Sequence, residues 1–455
     1  MACSSANSSV FHRSLEKPYP TAIGGEGVYL FTADGRKILD GSCGAAVSGV
    51  GHGNKEVIEA VCEQMRRLAY IQTSFFTTDP AEELARVILD SSNGAFSKVM
   101  FLSSGSEAVE SALKMARQYH VYNGQPDRVN FVGRLHSYHG NTLGSLAAGN
   151  NPSRRDTFAP ILSPAFHHVR RCFYQADGAG LSEAQYEDEL LAEYEETFRR
   201  LGPETVAAVI VEPVVGATLG AVPATPTYLP RLSRLCRSYG ILTIFDEIMC
   251  GMGRVGTYHA WQSLGGISPD LQAVGKGLGA GYQPLSAVLV GPTVYDKFQE
   301  HARGPNGFIS GHTFQGHPPA CAGALAVQKI LKRDNLIARC GELGQVLHDT
   351  LASQLPAEWS RNGGKLRGLG LFRAVDFGDA GDSYGGPLAE EVATKAFDLG
   401  ASVYLCSPNV DTILICPPFI ATEEEIRKLV DIFVQAVNEV LGKRKLSNVG
   451  GRMGV

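Results

Sequence analysis

Short, uninterrupted apolar runs separated by longer helical patterns constrain the fold of this 455-residue chain more than any other feature. The runs "KVMFL" (98–102), "VNFV" (129–132), "VAAVIVEPV" (206–214), "ILTIFDEI" (241–248), "LQAV" (271–274) and "SAVLVG" (286–291) predict strands. Because they do not alternate with polar residues, both of their faces must be buried. Between them, "SEAVESALKMARQYHVY" (106–122) and "TYLPRLSRLCRSYG" (227–240) predict helices. This order implies an α/β domain around a mostly parallel sheet, with chemistry expected beyond the carboxyl ends of the strands. The flanks read differently. Residues 27–40 form a hairpin pattern around Ala33-Asp34-Gly35, and 322–353 and 385–400 carry helical periodicity. Residues 410–419 read as a strand, and 422–441 as a terminal helix opened by Thr422 with acids in its first turn. The expected organisation is a large domain over 56–325 and a smaller α+β domain built from 1–55 and 326–455.

Charge and composition narrow the function classes. A net charge of -5, with no basic stripe interleaved with aromatics, excludes the electrostatic footprint of a nucleic-acid binder. No apolar run approaches the roughly 18 residues needed to span a bilayer. "MACSSANSSVFHRSLEKPYP" has no continuous apolar core of a secretory signal. None of the ten cysteines forms a C-x-x-C pair, so they read as reduced, buried thiols rather than disulfides or zinc ligands. A cytoplasmic protein is expected, with no metal, no nucleic acid and no membrane.

Three sequence constellations could carry chemistry. In "KVMFLSSGSEAVESALKMAR" a predicted strand leads through Ser-Ser-Gly-Ser into a helix, with Ser104 and Glu107 at capping-box spacing. Such a terminus offers free N–H groups and the positive dipole end to an anion; Gly105 allows close approach, and Ser104 and Ser106 add hydroxyls. "ILTIFDEI" ends an apolar strand in Asp246 and Glu247. A carboxylate there needs a partner. A neighbouring arginine such as Arg254, or a cap, is one reading; a fixed charge that keeps a ligand nitrogen protonated is the other. Lys276, in "VGKGLGAGYQPL", follows the strand "LQAV". It fits neither a Walker loop nor a dinucleotide fingerprint. A solvated loop lysine and an exposed Schiff-base amine both remain compatible with it.

A phosphate seat, a strand-end Asp and a strand-end Lys are together the parts needed to hold pyridoxal 5'-phosphate. The segments "FLSSGSEAVESALKMAR", "SYHGNTLGSL", "VIVEPVVGA", "IFDEIMCGMGRVGTYHAW", "ISPDLQAVGKGLGAGYQPLSAVLVG" and "GHTFQGHPPACAGALA" resemble the class III pyridoxal-phosphate-dependent aminotransferases, nearly end to end. The resemblance implies fold type I, with a mostly parallel sheet of the seven-stranded type and a small domain from both chain ends. By matching position, Lys276 corresponds to the lysine that binds the cofactor as a Schiff base. Asp246 corresponds to the partner of the pyridine nitrogen and Ile248 to the apolar residue against the ring. Gly105 and Ser106 match the phosphate-binding pair, with Ser104 beside them. Tyr138 matches the stacking aromatic, with His139 and Gly140 completing its turn, and Glu212 matches an acid near the cofactor. Thr313, in "GHTF", matches a threonine that reaches the phosphate of the neighbouring subunit, which implies a homodimer with shared sites.

Two departures bear on the substrate. Ser407 stands where many relatives carry a carboxylate-binding arginine, and Asn141 where an arginine can follow "HG". Arg170, Arg171 and Arg367 are other candidates for that role. The expected activity is a ping-pong transfer of an amino group from an amine or amino acid to a keto acid, aldehyde or ketone. An aminomutase or a decarboxylating aminotransferase of the same fold is the alternative.

Overall fold

A computed structural model of the chain describes residues 8–301 and 307–452. Cys3 lies outside them; the nine other cysteines are all free.

The central sheet has seven strands in the order Lys98–Leu102, Ser286–Val290, Leu271–Val274, Leu242–Asp246, Val206–Val211, Asn130–Arg134 and Phe166–Val169. Only Ser286–Val290 runs antiparallel to its neighbours; the remaining pairings are parallel. The expected α/β class and mostly parallel sheet are therefore found. Every residue of Val206–Val211 is buried, as a central strand covered on both faces requires. Each fully buried Val or Ile there contributes about 1.5–3 kcal/mol. Helix Gly105–Tyr122 packs Ala108, Val109, Ala112 and Leu113 against one face. The other face meets Tyr186, Leu190, Tyr194 and Phe198 of helix Glu183–Leu201.

The chain ends share a second core. Val28, Leu39 and Val50 pack with Leu347, Leu351, Ile413, Ile415 and Phe433. The hairpin Tyr29–Thr32 and Lys37–Asp40 forms as the sequence suggests. Its second strand also pairs, in parallel, with Ala401–Ser402. A separate sheet joins Lys365–Leu369, Phe372–Asp376, Thr412–Ile415 and Tyr404–Leu405. Among the described residues, no helix is long and apolar enough to cross a membrane.

Three boundaries differ from the sequence reading, each for a local reason. The 206–214 run stops at Val211, and Val214–Val215 joins a two-stranded ribbon with Val222–Pro223; Pro213 between them has no N–H for the ladder. The 410–419 strand narrows to Thr412–Ile415, ahead of Pro417 and Pro418. The 322–353 pattern divides into helices Pro318–Arg333 and Leu336–Gln354. Asn335 sits between them at φ 51° and ψ 36°, a left-handed conformation that asparagine tolerates and that a helix does not.

Candidate active site

The parallel strands deliver their carboxyl ends to one cavity of about 370 Å³. Strand Leu242–Asp246 ends in Asp246, 4% exposed, and Ile248 follows two residues later. The Asp246 carboxylate is held at both oxygens. Nδ1 of His139 lies 2.8 Å from Oδ2, and the Ile248 N–H donates to Oδ1 at 3.1 Å. His139 is the buried partner that the sequence left open. Arg254 is not: its guanidinium donates to the carbonyls of Leu371 and Pro417 and lies over the Phe419 ring.

Glu212 follows the end of Val206–Val211. Its Oε1 accepts from the Tyr138 N–H at 3.1 Å and its Oε2 from the Gly216 N–H at 3.2 Å. Burial raises its carboxyl pKa, with the nearby His139 opposing. These bonds fix the turn that carries Tyr138 and His139.

Lys276 opens a short 3-10 turn after Leu271–Val274. Its φ is +41°, rare for a residue with a Cβ and costly by roughly 1–3 kcal/mol. Burial lowers the ammonium pKa, while the charges of Asp246 and Glu212 oppose that shift. The result is an amine more easily neutralised than a surface lysine.

Helix Gly105–Tyr122 points its N-terminus into the same cavity. Ser104 caps it, with Glu107 closing the reciprocal bond. Gly105 packs so tightly that a Cβ there would sit 2.8 Å from Ile248 Cδ1. Ser106 Oγ accepts from the Asn141 N–H at 2.9 Å, joining the helix start to the 138–141 turn. Gly140, at φ +138°, completes this cradle: a Cβ there would lie 2.4 Å from Ser145 Oγ and 2.7 Å from Ser106 Oγ. Gly140→Ala is expected to displace the Ser106 hydroxyl and weaken binding of a phosphorylated cofactor by roughly tenfold. Absorbance titration with the cofactor, beside an unchanged circular dichroism spectrum, checks this.

The cavity thus gathers Gly105, Ser106, Tyr138 and His139 with Glu212, Asp246, Ile248 and Lys276. Ser104 is exposed and spends its hydroxyl on the cap, so it does not line the cavity. Thr313 is exposed and lies outside the cavity of its own chain. The three alternative arginines are occupied elsewhere. Arg170 pairs with Glu193 and Glu189, Arg171 with Asp177, and the buried Arg367 with Asp376. Among the described residues, no group of three or more His, Cys, Asp or Glu side chains converges as a metal site would require.

Glu247, adjacent to Asp246 in sequence, turns away from the cavity. Its fully buried carboxylate accepts from the N–H groups of Ala260 at 2.7 Å and Trp261 at 2.9 Å. Burial pushes its pKa up to about 8 from 4.5, with those two hydrogen bonds opposing. A carboxyl whose folded pKa exceeds its unfolded value costs nothing below the unfolded pKa. It costs progressively more as pH rises to the folded pKa. Between pH 5 and 8 this group should therefore remove stability on the order of a few kcal/mol. Glu247→Gln should flatten that part of the thermal-stability profile; calorimetry of both proteins across the window decides it.

Residues that sequence reasoning did not single out also line the cavity: Arg13, Asn151, Arg154, Met249 and Tyr404. Arg13 and Tyr404 come from the chain ends, and no local motif marks them.

Fold and cavity are those of an α/β enzyme whose site lies at a sheet's carboxyl edge. The profile of the class III aminotransferases matches residues 14–437. The chain is 36% identical over 443 residues to an uncharacterized aminotransferase of Schizosaccharomyces pombe, covering 95% of each chain. It is 31% identical to the diaminobutyrate–2-oxoglutarate transaminase of Halomonas elongata, over 93% of this chain and 91% of that one. The crystal structure of the omega transaminase from Pseudomonas jessenii in complex with PMP superimposes with a TM-score of 0.88 at 30% identity, covering 94% of both chains. The chain belongs to the class III aminotransferase family, whose members depend on pyridoxal phosphate. It is an aminotransferase of fold type I.

Proposed function

We propose that this chain holds pyridoxal 5'-phosphate in the cavity described above. It uses it to pass an amino group from a small amine or amino acid to a keto acid, aldehyde or ketone, in two half-reactions. The observation that carries this reading is the meeting of Lys276, the fixed Asp246 carboxylate and the N-terminus of helix Gly105–Tyr122 in one cavity.

The donor set suits the cofactor. The first-turn N–H groups and the Ser106 hydroxyl hold a phosphate, and the Gly140 cradle leaves room for it. Asp246, pinned by His139 and the Ile248 N–H, keeps the proton on the ring nitrogen. Tyr138 and Ile248 supply an aromatic and an apolar surface for the ring. Once bound, the cofactor supplies an electron sink for the amine-bearing carbon. Lys276 Nζ takes the proton from that carbon and gives it back, aided by the burial that favours its neutral form.

Thr313 serves the cavity of a second copy, so that the active unit is a homodimer. Supporting this, Tyr70, Phe75, Phe76, Ile309 and Phe314 are exposed apolar side chains around the same segment, with Tyr70 and Phe314 packed edge to face. A patch of this kind calls for a covering surface.

The test is a panel of amino donors with pyruvate and 2-oxoglutarate as acceptors. Amino transfer that needs an added keto acid supports the reading. Rearrangement without one, or release of carbon dioxide, would replace it with a mutase or a decarboxylating enzyme.

A further inference from the structure

The charges lining the cavity are sorted by depth. Its acids, Asp246 and Glu212, are buried and bonded to His139 and backbone N–H groups. Its outer wall carries two exposed arginines, Arg13 and Arg154. Neither makes an ion pair with a carboxylate among the described residues, whereas Arg170, Arg171 and Arg367 all do. Both arginines act on the same neighbour. Burial raises the pKa of the Tyr404 phenol, and the charges of Arg154 and Arg13 oppose that rise. Tyr404 and Tyr138 line the same cavity, so this outer wall adjoins the aromatic beside His139.

The turn bearing Arg154 is fastened to the loop that bears Ser407. The buried Asn151 Oδ1 accepts from the hydroxyls of Ser153 at 2.9 Å and Ser407 at 3.1 Å, and the two serine hydroxyls lie 3.3 Å apart. Asn409 Nδ2 donates to the same oxygen at 3.4 Å. A side chain as short as serine at 407 is what lets this contact form. These bonds fix the turn that carries Arg154 before any ligand arrives.

We infer that Arg154, with Arg13 beside it, seats a substrate carboxylate at the mouth of the cavity, remote from Lys276. This rests on the reading of Lys276 as the reacting amine. The substrate class is then an amino acid whose carboxylate and reacting amino group lie at opposite ends of a short chain. A planar guanidinium suits a carboxylate because it donates two parallel hydrogen bonds. The absence of an acid from the outer wall leaves that charge available.

The test uses the cofactor-loaded enzyme and a matched pair of donors, 5-aminopentanoate and pentylamine, in which a methyl group replaces the carboxylate. Arg154→Gln should raise the half-saturating concentration of 5-aminopentanoate by roughly 10–100-fold. It should shift that of pentylamine less than about twofold, because pentylamine offers nothing for the arginine to hold. Arg154→Lys should restore part of the loss, and Arg13→Gln should reproduce a smaller one. Equal shifts for both donors, or none for either, would overturn the inference. Pentanoate, with a carboxylate and no amine, decides the same point without turnover. Calorimetry should show binding to the parent enzyme and its loss in Arg154→Gln, and failure of the parent to bind pentanoate also overturns it. If borohydride fixes the cofactor at a lysine other than Lys276, the role of Lys276 falls, while the arginine seat still stands or falls on pentanoate.

Discussion

Lys276→Ala is expected to lower kcat/KM for amino transfer by on the order of 10³–10⁵, with little effect on folding. The size follows from the two jobs proposed for Lys276 being lost at once, the covalent hold on the cofactor and the base that moves the substrate proton. The mildness toward folding follows from the site. Lys276 lies on a turn at φ +41° beyond the end of its strand, and burial already disfavours its charged form. Removing the amine relieves that desolvation without opening the sheet. Steady-state rates and thermal unfolding of the same preparation separate the two effects. Borohydride reduction of the parent enzyme should fix the cofactor to the peptide containing Lys276; fixation at another lysine would remove it from this role. Added methylamine should return part of the lost rate, since a diffusing base replaces the proton carrier.

Asp246→Asn is expected to lower kcat by on the order of 10²–10⁴ while leaving cofactor affinity within about tenfold. An amide keeps the shape and can still accept from the Ile248 N–H, but it carries no charge to hold a proton on a ring nitrogen. On the proposed reading His139 acts through Asp246. Its Nδ1 lies 2.8 Å from Oδ2 in a pocket where both side chains are buried. His139→Asn should therefore cost kcat less than Asp246→Asn and shift the absorbance of the bound cofactor in the same direction. A loss in KM alone for either variant would count against the pairing.

The sequence disclosed those parts of the site that sit next to strong local signals. The β-branched runs marked the strands, and the lysine among glycines and the acid at a strand end stood out beside them. The capping box at Ser104 and Glu107 was legible from spacing alone and is present. Pairings between distant segments were not legible. Asp246 meets His139 across 107 residues, and Ser407 meets Asn151 across 256. The edge strand Phe166–Val169 escaped notice because "FHHV" has no apolar continuity and needs little, being bonded on one side only. The Asn335 break is set by backbone conformation, which hydrophobic periodicity does not record.

The parallel pairing of Lys37–Asp40 with Ala401–Ser402 has a consequence for synthesis. Ser402 Oγ donates to Asp40 Oδ1 across 362 residues. A chain leaving the ribosome carries its first hairpin without this neighbour until Ser402 has been made. The seven-stranded sheet, complete by Val290, has its strands in hand much earlier. Tyr404 and Ser407 are made only well after Val290. Nascent chains halted before residue 400 should thus be able to assemble the strand-end part of the cavity while lacking Tyr404 and the Ser407 hydroxyl that fastens the Arg154 turn.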